Sequence, residues 1–386
     1  MPADEPSFLP PWLRKLMVNT MTTLSNFEFG DIMHVTTYFG YLLTLFCAYV
    51  LIFGLIVPFI KAIFLIRTPD SPSEDIFEDP NKPLTSQSQH QATGLNDRMY
   101  AVGDFPSLLE EATLSLSVIV PAYNEDVRLP TMLDEAFHFL EQKAERDRSF
   151  TYEIIVVDDG SRDSTCSVVL TQYCTRYGTN KIRLLRLHCN HGKGGAVRKG
   201  MFKARGALLL MVDADGATQF SDLDRLTSQL RTTTSSGSPL GVAIGSRHHM
   251  QADAVAKRSC FRNILMYGFN YYVSILCVPG IKDTQCGFKL FTRAAARLLF
   301  PVQHIERWAF DVELLHLCAR LNIPVTEVPV TWVEMSGSKV NLFEDIPQMA
   351  RDIFIIRLCY TLGIWKANST GSFLYNGGSQ QYMKNR

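Results

Sequence analysis

The chain has 386 residues, enough for one large domain or two small ones with appended segments. Its 38 Lys and Arg balance 38 Asp and Glu, which argues against a protein that binds nucleic acid or another polyanion through net charge. Nine Cys occur without C-x-x-C pairs or zinc-finger spacing, and this pattern favours buried free thiols in a reducing compartment over a disulfide framework.

The first predicted element is a transmembrane helix over residues 36–66, which follows a short N-terminal segment, residues 1–35. Its part from 36–60 carries no charge, and about 20 apolar residues suffice to cross the hydrocarbon core of a bilayer. The run begins too far along the chain for a signal peptide. Because Lys61 and Arg67 follow it, we expect a single pass with the C-terminal side in the cytoplasm. A hairpin-like interfacial segment or a buried helix is the alternative.

Residues 67–113 form a predicted linker that is partly disordered. The stretch from 68 to about 107 is rich in Pro, Ser, Gln, Asp and Glu and has little apolar periodicity. Such a composition does not bury enough apolar surface to order itself, so we interpret the stretch as a tether.

Strands alternate with helices from there on, which predicts a doubly wound α/β domain with a mainly parallel sheet over residues 114–340. The predicted strands cover residues 116–121, 153–157, 182–187, 208–212 and 241–245. The predicted helices cover about 130–145, 164–177, 194–204 and 223–230. An apolar run at 264–278 is too short for a span and is interpreted as a core or interfacial helix. Residues 341–366 are predicted to form amphipathic membrane-associated helices, and residues 367–386 a tail.

An aspartate pair, Asp213 and Asp215, follows five apolar residues. The run reads as a buried strand that ends by directing two carboxylates the same way, at the sheet edge where ligands bind in α/β folds. Two hard oxygen ligands suit Mg²⁺ or Mn²⁺ that carries a diphosphate. For the motif alone, a surface turn rich in Asp is the alternative.

Two more strand ends carry polar motifs, Pro121–Glu125 and Asp158–Ser161. A carboxylate of Asp158 or Asp159 can accept the imide N–H of uracil or bind ribose hydroxyls. Before the helix at 194–204, a glycine-rich turn with Lys193 departs from the P-loop pattern, but a helix N-terminus there can hold part of a nucleotide sugar. A solvated turn lysine is the alternative.

The motifs P-A-Y-N-E, V-V-D-D-G-S, G-K-G-G-A-V-R-K-G and D-A-D, in this order, resemble the family 2 glycosyltransferases, whose GT-A fold is a Rossmann-like nucleotide-sugar domain. The runs 283–289, 306–314 and 337–339 resemble its dolichyl-phosphate β-glucosyltransferase branch. The resemblance covers about residues 114–365. It implies transfer of glucose from UDP-glucose to dolichyl phosphate with inversion, which yields the lipid-linked glucose donor for N-glycan precursor assembly.

The resemblance also implies roles for single residues. The uridine would be held by Pro121, Tyr123, Glu125 and Asp158. The wider nucleotide-sugar set adds Asp159, Lys193, Asp213, Ala214 and Lys339. The metal would be bound by Asp213 and Asp215. Ala217 stands where mannosyl relatives carry a Gln that helps the metal site, so a third protein ligand is missing there.

The acceptor phosphate is already anionic near neutrality, so its oxygen needs no strong general base, and the site must instead supply cations. We expect Arg247 and Arg262 to make bidentate contacts to it. Asp311 lies where sugar-polymerising relatives carry an acidic base, and in this branch we favour donor-sugar positioning or a structural role. With Asp215, these residues form the predicted catalytic set. Apolar helices at the bilayer surface would bring the site to the lipid.

The resulting interpretation is a metal-dependent glucosyltransferase of the endoplasmic reticulum membrane with a cytosolic catalytic domain. The nearest alternative is a polyprenyl-phosphate mannosyltransferase that uses GDP-mannose, because D-x-D selects neither base nor sugar. A processive polysaccharide synthase would carry a Q-x-x-R-W motif and several downstream membrane spans, which this sequence lacks. A non-catalytic sugar-nucleotide or lipid-binding scaffold is an alternative of a different class.

Overall fold

The structure is a computed structural model that describes residues 15, 18–19, 40–49, 68, 71–82, 100–234, 238–250, 268–269, 271–335, 337 and 344–367. The chain divides into two compact units, Met1–Phe64 and Leu65–Arg386. In the first unit, residues 40–49 are helical. Within these described ranges, no helix has the length and apolar character needed to cross a membrane. The transmembrane helix at 36–66 stays a prediction, since most of it lies outside the described residues.

The described residues of the second unit contain nine strands in two sheets. They are β1 (Ile76–Asp79), β2 (Ala101–Asp104), β3 (Leu114–Ala122), β4 (Tyr152–Asp158), β5 (Ile182–Arg186), β6 (Gly206–Val212), β7 (Val242–Ser246), β8 (Phe288–Thr292) and β9 (Val325–Pro329). β1 and β2 form an antiparallel pair, and the other strands form one sheet in the order β5-β4-β3-β6-β8-β7-β9.

The helices of this unit lie between and after the strands. They are α1 (Leu129–Arg146), α2 (Thr165–Val168), α3 (Thr175–Tyr177), α4 (Lys193–Phe202), α5 (Leu223–Thr234), α6 (Arg293–Leu299), α7 (Phe310–Arg320) and α8 (Asp345–Thr361). A π-helical segment, Val169–Cys174, joins α2 to α3. Short 3-10 turns occur at Pro72–Asp75, Phe220–Asp222, His248–Met250 and Phe300–Val302. Residues 271–276 are also helical.

Most neighbouring strands of the large sheet are parallel. β3 pairs in parallel with β4 and β6, β4 with β5, and β7 with β9. β8 runs antiparallel between β6 and β7. This confirms the predicted mainly parallel α/β sheet. It also refines one expectation: the strand predicted at 241–245 does continue the sheet, but β8 separates it from β6.

Both faces of the sheet are covered because alternate residues of each strand face opposite ways. Val118 of β3 packs in a cluster with Phe137 of α1, and both are buried. Ile119 and Val157 face the other side, toward α4. A Cβ on Gly200 of α4 would come within 2.6 Å and 2.7 Å of their side chains, so only glycine allows this close packing of helix on sheet.

The segment before β3 is ordered where the structure describes it, in contrast to the predicted tether. Glu74 and Glu78 are both buried, and they pair with basic residues of the domain. Glu74 forms an ion pair with Lys199, and Glu78 lies 3.0 Å from Arg186. The composition misled the prediction because these carboxylates are neutralised by partners far along the chain instead of being solvated. Residues 83–99 lie outside the described residues.

The C-terminal helix α8 packs on the domain through one face and leaves apolar residues exposed on another. Ile353 and Ile356 are buried, whereas Phe354 is 45% exposed. Residues 271–276 are similar, with Val273 buried and Ile275 60% exposed. Both segments therefore have a core-facing side, and the membrane role predicted for their other side remains a prediction.

A buried ion-pair cluster joins β4, β5 and the turn before β6. Glu153 is fully buried and pairs with Arg183, which is 2% exposed. It also accepts from Arg205 Nε at 2.9 Å and from Ser117 Oγ at 2.6 Å. Burial of a charge is costly unless a partner neutralises it. The buried charge of Arg183 therefore depends on the carboxylate of Glu153.

We therefore expect Glu153→Ala to destabilise the chain by about 3–5 kcal/mol, because Arg183 would stay buried without its acid. The matched control is Asp224→Ala. Asp224 is exposed and pairs with Lys143 at the surface, where an ion pair is worth about 0–1 kcal/mol. Thermal unfolding of the full chain measures both, and equal shifts for the two variants would contradict the assignment.

Candidate active site

Three strand ends lie side by side at one edge of the sheet. β3 lies between β4 and β6, and all three run parallel, so their carboxyl ends share this edge. Asp158 is the last residue of β4, and Asp213 directly follows β6. The order of the strands reverses between β3 and β6, which makes this edge a switch point of the kind that binds ligands in open α/β sheets.

Hydrogen bonds between the loops after β3 and β4 hold the two loops together. The backbone N–H of Asn124 donates to Ser161 Oγ at 2.8 Å, and that of Glu125 donates to Thr165 Oγ1 at 2.8 Å. Asn124 has a φ of 53°, a left-handed conformation that Asn adopts more readily than most residues. The two loops therefore form one surface at the sheet edge.

The residues predicted to hold uridine lie on this surface. Pro121 and Tyr123 are half-buried, and Asp158 is buried. The Oδ1 atom of Asp158 accepts from the N–H of Ser161 at 3.3 Å. Because Ala122 and Asp158 are partners in the register of β3 and β4, the structure brings these residues together as expected. Their contact with uridine remains a prediction.

Glu125, the remaining member of that set, is engaged by an arginine. Arg128 donates from Nη2 to Glu125 Oε1 at 2.6 Å and from Nε to Oε2 at 2.8 Å. These hydrogen bonds raise the pKa of Arg128, and the charges of Asp215 and Asp213 raise it further. A permanent cation therefore lies close to the aspartate pair.

Lys193, the first residue of α4, forms an ion pair with Asp213. Its Nζ lies 2.6 Å from Asp213 Oδ1 and 5.9 Å from the ring centre of Trp308. Burial lowers the pKa of Lys193, but Asp213, Asp311 and Asp215 outweigh that effect and raise it. Lys193 is thus held as a cation inside the site. The alternative, a solvated turn lysine, is wrong.

Asp215 accepts a hydrogen bond from the backbone. Its Oδ1 accepts from the N–H of Ala217 at 3.0 Å, after a turn at Gly216 with a φ of 70°. Burial and the neighbouring charge of Asp213 raise the pKa of Asp215. The carbonyl of Ala217 accepts from Val333 at 2.8 Å. Both backbone groups of Ala217 are therefore used within the protein.

The donor set at Asp213 and Asp215 fits a hard divalent cation. Asp213 Oδ1 is buried, and the ammonium of Lys193 lies 2.6 Å from it. The repulsion between the two carboxylates, which raises the pKa of Asp215, is the kind that a bound Mg²⁺ or Mn²⁺ relieves. The predicted pair is thus suited to a metal.

Gly287, just before β8, lets Asp213 reach its position. The N–H of Asp213 donates to the carbonyl of Gly287 at 3.0 Å. A Cβ on Gly287 would lie 2.0 Å from Asp213 Oδ2 and 2.1 Å from Cγ, which no side chain permits. The carboxylate therefore lies directly against the backbone of β8.

Asp311 lies at the start of α7 in a buried ion pair. Its Oδ1 accepts from Lys289 Nζ at 2.7 Å, and the same ammonium donates to the carbonyl of Cys286 at 2.6 Å. Burial raises the pKa of Asp311, while Lys289 and Lys193 oppose the rise. A carboxylate paired in this way is a poor general base, which agrees with the structural or positioning role favoured above.

Arg247 is bound by an acid, and this corrects the expectation of a fork directed at a phosphate. Its Nε and Nη2 donate to Asp283 Oδ2 and Oδ1 at 2.8 Å and 2.9 Å. The N–H of Arg247 also donates to Asp283 Oδ2, at 2.9 Å. Burial lowers the pKa of Arg247, but Asp283 outweighs it and raises the pKa. The bidentate edge of the guanidinium is therefore occupied within the protein.

Asp159 also differs from its predicted ligand-binding role. Its Oδ1 accepts from the N–H of His191 at 2.7 Å, and its Oδ2 accepts from the N–H of Gly192 at 2.8 Å. Burial raises the pKa of Asp159 to about 6. Both oxygens thus hold the loop that leads into Lys193, and Asp159 positions that loop.

The other predicted residues are placed as follows. Ala214 is 4% exposed and belongs to the hydrophobic core, so its side chain does not face a ligand. Arg262 and Lys339 lie outside the described residues, and their roles stay predictions.

Sequence reasoning missed three residues that complete the ion pairs of the site: Arg128, Asp283 and Lys289. The signal for Lys289 was present, because a lysine inside a buried apolar strand requires an acidic partner. Asp283 begins the run 283–289 that carries the resemblance, but nothing local marked Arg128. The partners of both are identified only by the folded arrangement.

The chain is similar to one family model and to several named proteins. The family model described as glycosyl transferase family 2 matches residues 117–299. A dolichyl-phosphate beta-glucosyltransferase of Dictyostelium discoideum is 55% identical over 270 residues, which cover 69% of this chain and 82% of that protein. The protein of the same name from Homo sapiens is 50% identical, with 69% and 82% covered. That of Saccharomyces cerevisiae is 44% identical, with 67% and 79% covered.

Among solved structures, glucosyl-3-phosphoglycerate synthase from Mycobacterium tuberculosis in complex with phosphoglyceric acid aligns with a TM-score of 0.43 and 15% identity, over 64% of this chain and 79% of that chain. This similarity is too low to bear on the site. The identities to the named relatives are high over most of their length. The region matched by the family model contains Asp213 and Asp215. The chain belongs to the dolichyl-phosphate beta-glucosyltransferases of glycosyl transferase family 2.

Proposed function

We propose that this protein transfers glucose from UDP-glucose to dolichyl phosphate with inversion at the anomeric carbon, giving dolichyl β-D-glucosyl phosphate. The observation that carries the proposal is the 55% identity to a relative named for this activity. The site supports it independently, since two carboxylates and two cations meet at the sheet edge where a nucleotide diphosphate would bind.

Asp213 and Asp215 would hold Mg²⁺ or Mn²⁺. Bound there, the ion would stabilise the negative charge that develops on the departing UDP. Lys193 and Arg128 lie beside the pair and add positive charge for the diphosphate. A preorganised set of charges of this kind lowers the barrier without rearrangement during the reaction.

Among the described residues of the site, Asp311 stands where a base would be and is engaged by Lys289, and the proposed acceptor requires no base. A phosphate monoester carries about −1.5 to −2 charge near neutrality, so its oxygen is a ready nucleophile. Asp311 is paired with Lys289, which suits it to positioning the donor sugar. The protein's task is then to place the acceptor oxygen opposite the leaving group and to exclude water.

We assign Arg247, Arg262 and Lys339 to the phosphates as proposals. Asp283 fixes the orientation of Arg247 and leaves the Nη1 side of its guanidinium as the part that would meet an acceptor. The ring of Trp332 lies 5.5 Å from this guanidinium and further limits its movement. A fixed cation costs less conformational entropy on binding than a mobile one.

We further propose that the protein resides in the endoplasmic reticulum membrane as a single-pass protein with its catalytic domain in the cytosol. The uncharged run at 36–60 supports the anchor, and the basic residues after it support the orientation. Exposed apolar side chains such as Ile275, Phe354 and Leu362 support contact of the domain with the bilayer.

We expect membranes that contain the full chain to form a glucolipid from UDP-glucose and added dolichyl phosphate, and little product from GDP-mannose. Asp215→Ala should lower the rate by more than about a hundredfold, because charge stabilisation at the leaving group is lost. Labelled lipid extracted after incubation measures both.

A preference for GDP-mannose would establish the mannosyltransferase alternative instead. Unchanged transfer by Asp215→Ala would refute the metal-bearing role of the pair. Binding of UDP-glucose without any transfer would favour the non-catalytic scaffold.

We expect Gly287→Ala to lower the transfer rate on the order of a hundredfold, because the added methyl displaces the Asp213 carboxylate and misplaced catalytic groups cost about that factor. The control is Gly268→Ala, since a Cβ on Gly268 meets nothing within 4 Å. Initial rates with UDP-glucose measure the effect at matched protein levels. Equal rates for the two variants would show that Gly287 does not position Asp213.

We expect Asn368, in the sequence Asn-Ser-Thr, to carry no N-glycan, because the proposed orientation keeps the C-terminal side in the cytosol. In contrast, Met21→Thr turns Asn19 into an acceptor on the lumenal side, and that variant should be glycosylated. A mobility shift that glycosidase removes reports both sites. The reverse pattern, with a glycan on Asn368 and none on Asn19, would show that the C-terminal side is lumenal.

A further inference from the structure

A group of metal-ligating side chains lies outside the catalytic pair, in the loop between β5 and α4. His188, Cys189 and His191 each offer one ligand atom, and these atoms lie within 4.8 Å of one another. His191 is 1% exposed and Cys189 is half-buried, whereas His188 is exposed. Neither the proposed reaction nor the relatives' names give these residues a role.

The two distances from the Cys189 sulfur to the ring nitrogens are those of a tetrahedral metal site. Cys189 Sγ lies 3.3 Å from His188 Nε2 and 3.7 Å from His191 Nε2. A zinc ion with Zn–S of about 2.3 Å and Zn–N of about 2.0–2.1 Å places sulfur and nitrogen ligands about 3.5 Å apart. Both sulfur–nitrogen distances lie close to that value, so each histidine can share an ion with Cys189 with little movement of the loop.

A buried carboxylate orients one of these ligands. Glu74 Oε1 lies 2.5 Å from His188 Nδ1, which directs Nε2 of that ring toward Cys189. A ligating His typically donates its second ring N–H to a carboxylate in this way. The same oxygen lies 3.4 Å from His191 Nε2, within reach of a fourth ligand position. Lys199 pairs with Oε2 and holds the carboxylate in place.

The buried ring of His191 has an unmet polar atom. Its Nδ1 is buried and has no hydrogen-bond partner among the described residues, while Nε2 faces Cys189 and Glu74. Two carboxylates lie against this loop: Glu74 is beside both imidazole rings, and Asp159 accepts from the N–H of His191. The same negative surroundings attract a cation, and a bound cation favours the thiolate.

We propose that His188, Cys189 and His191 bind a zinc-class divalent ion, with Glu74 as the positioning carboxylate. Nitrogen and sulfur ligands select such an ion over Mg²⁺ or Mn²⁺, whereas the oxygen ligands at Asp213 and Asp215 have the opposite preference. The two sites therefore take different metals, and this one does not depend on the proposed transfer reaction.

The ion would fix the loop that leads into the catalytic edge. The N–H groups of His191 and Gly192 donate to Asp159, and Lys193 follows directly and pairs with Asp213. Glu74 belongs to the segment before the domain, so the ion would also tie that segment to α4 through Lys199. We infer a structural role, in which the ion stabilises the fold around Lys193.

The test uses the full chain purified in detergent, loaded with Zn²⁺ and then desalted. We expect one zinc per chain by elemental analysis and a higher thermal-unfolding midpoint than for the chelator-treated protein. Cys189→Ser and His188→Ala should each weaken zinc binding on the order of tenfold or more. The matched controls Cys47→Ser and His138→Ala change an exposed thiol and an exposed imidazole outside the cluster and should bind zinc like the unaltered chain.

Cobalt(II) provides a readout that a merely structural effect of the substitutions would not reproduce. Loading with Co²⁺ should give a thiolate-to-cobalt charge-transfer band that Cys189→Ser abolishes and that Asp215→Ala keeps. The proposal is overturned if the unaltered chain retains no zinc, if Cys189→Ser retains it with full affinity, or if Asp215→Ala removes it, since the last result would place the ion at the catalytic pair.

Discussion

Parallel alignment of β3 with its neighbours β4 and β6 is the constraint on which the rest of the structure depends. It brings the ends of three strands, which are far apart in sequence, to one edge of the sheet. Without this alignment Asp158 and Asp213 would not lie at the same edge of the sheet. The antiparallel β8 then begins at the same edge and supplies Gly287, against which the Asp213 carboxylate lies.

The edge is a network in which buried acids are matched by cations. Lys193 pairs with Asp213, Lys289 with Asp311, Arg247 with Asp283, and Arg128 with Glu125. Such pairing lets charges remain in a poorly solvated site, because each ion offsets part of the desolvation cost of its partner. Asp215 and Asp159 differ: backbone amides donate hydrogen bonds to them, and the pKa of each is raised.

The segment before β3 gives a second example of charges that organise structure. Its carboxylates are buried against basic residues of β5 and α4, and Glu74 in addition meets the histidines of the loop between them. The same loop is held from the other side by Asp159. Two carboxylates from distant parts of the chain thus determine where α4 begins and where Lys193 lies.

The sequence by itself determined the α/β architecture and the main strands and helices. Alternating apolar and polar runs report directly which segments are buried, and strand ends followed by Asp or Pro mark the ligand edge. It also identified Asp213, Asp215 and Lys193, because their motifs are local and follow a strand or open a helix.

Only the tertiary structure decided which carboxylates and cations are engaged by partners. Asp159 was expected to face a nucleotide but holds backbone amides, and Arg247 was expected to face a phosphate but is bound by Asp283. The order of the segment at 71–82, read as a tether, likewise depends on partners more than a hundred residues away. Ion pairs form between residues that are close in space, and the spacing of residues along the chain carries no record of that proximity.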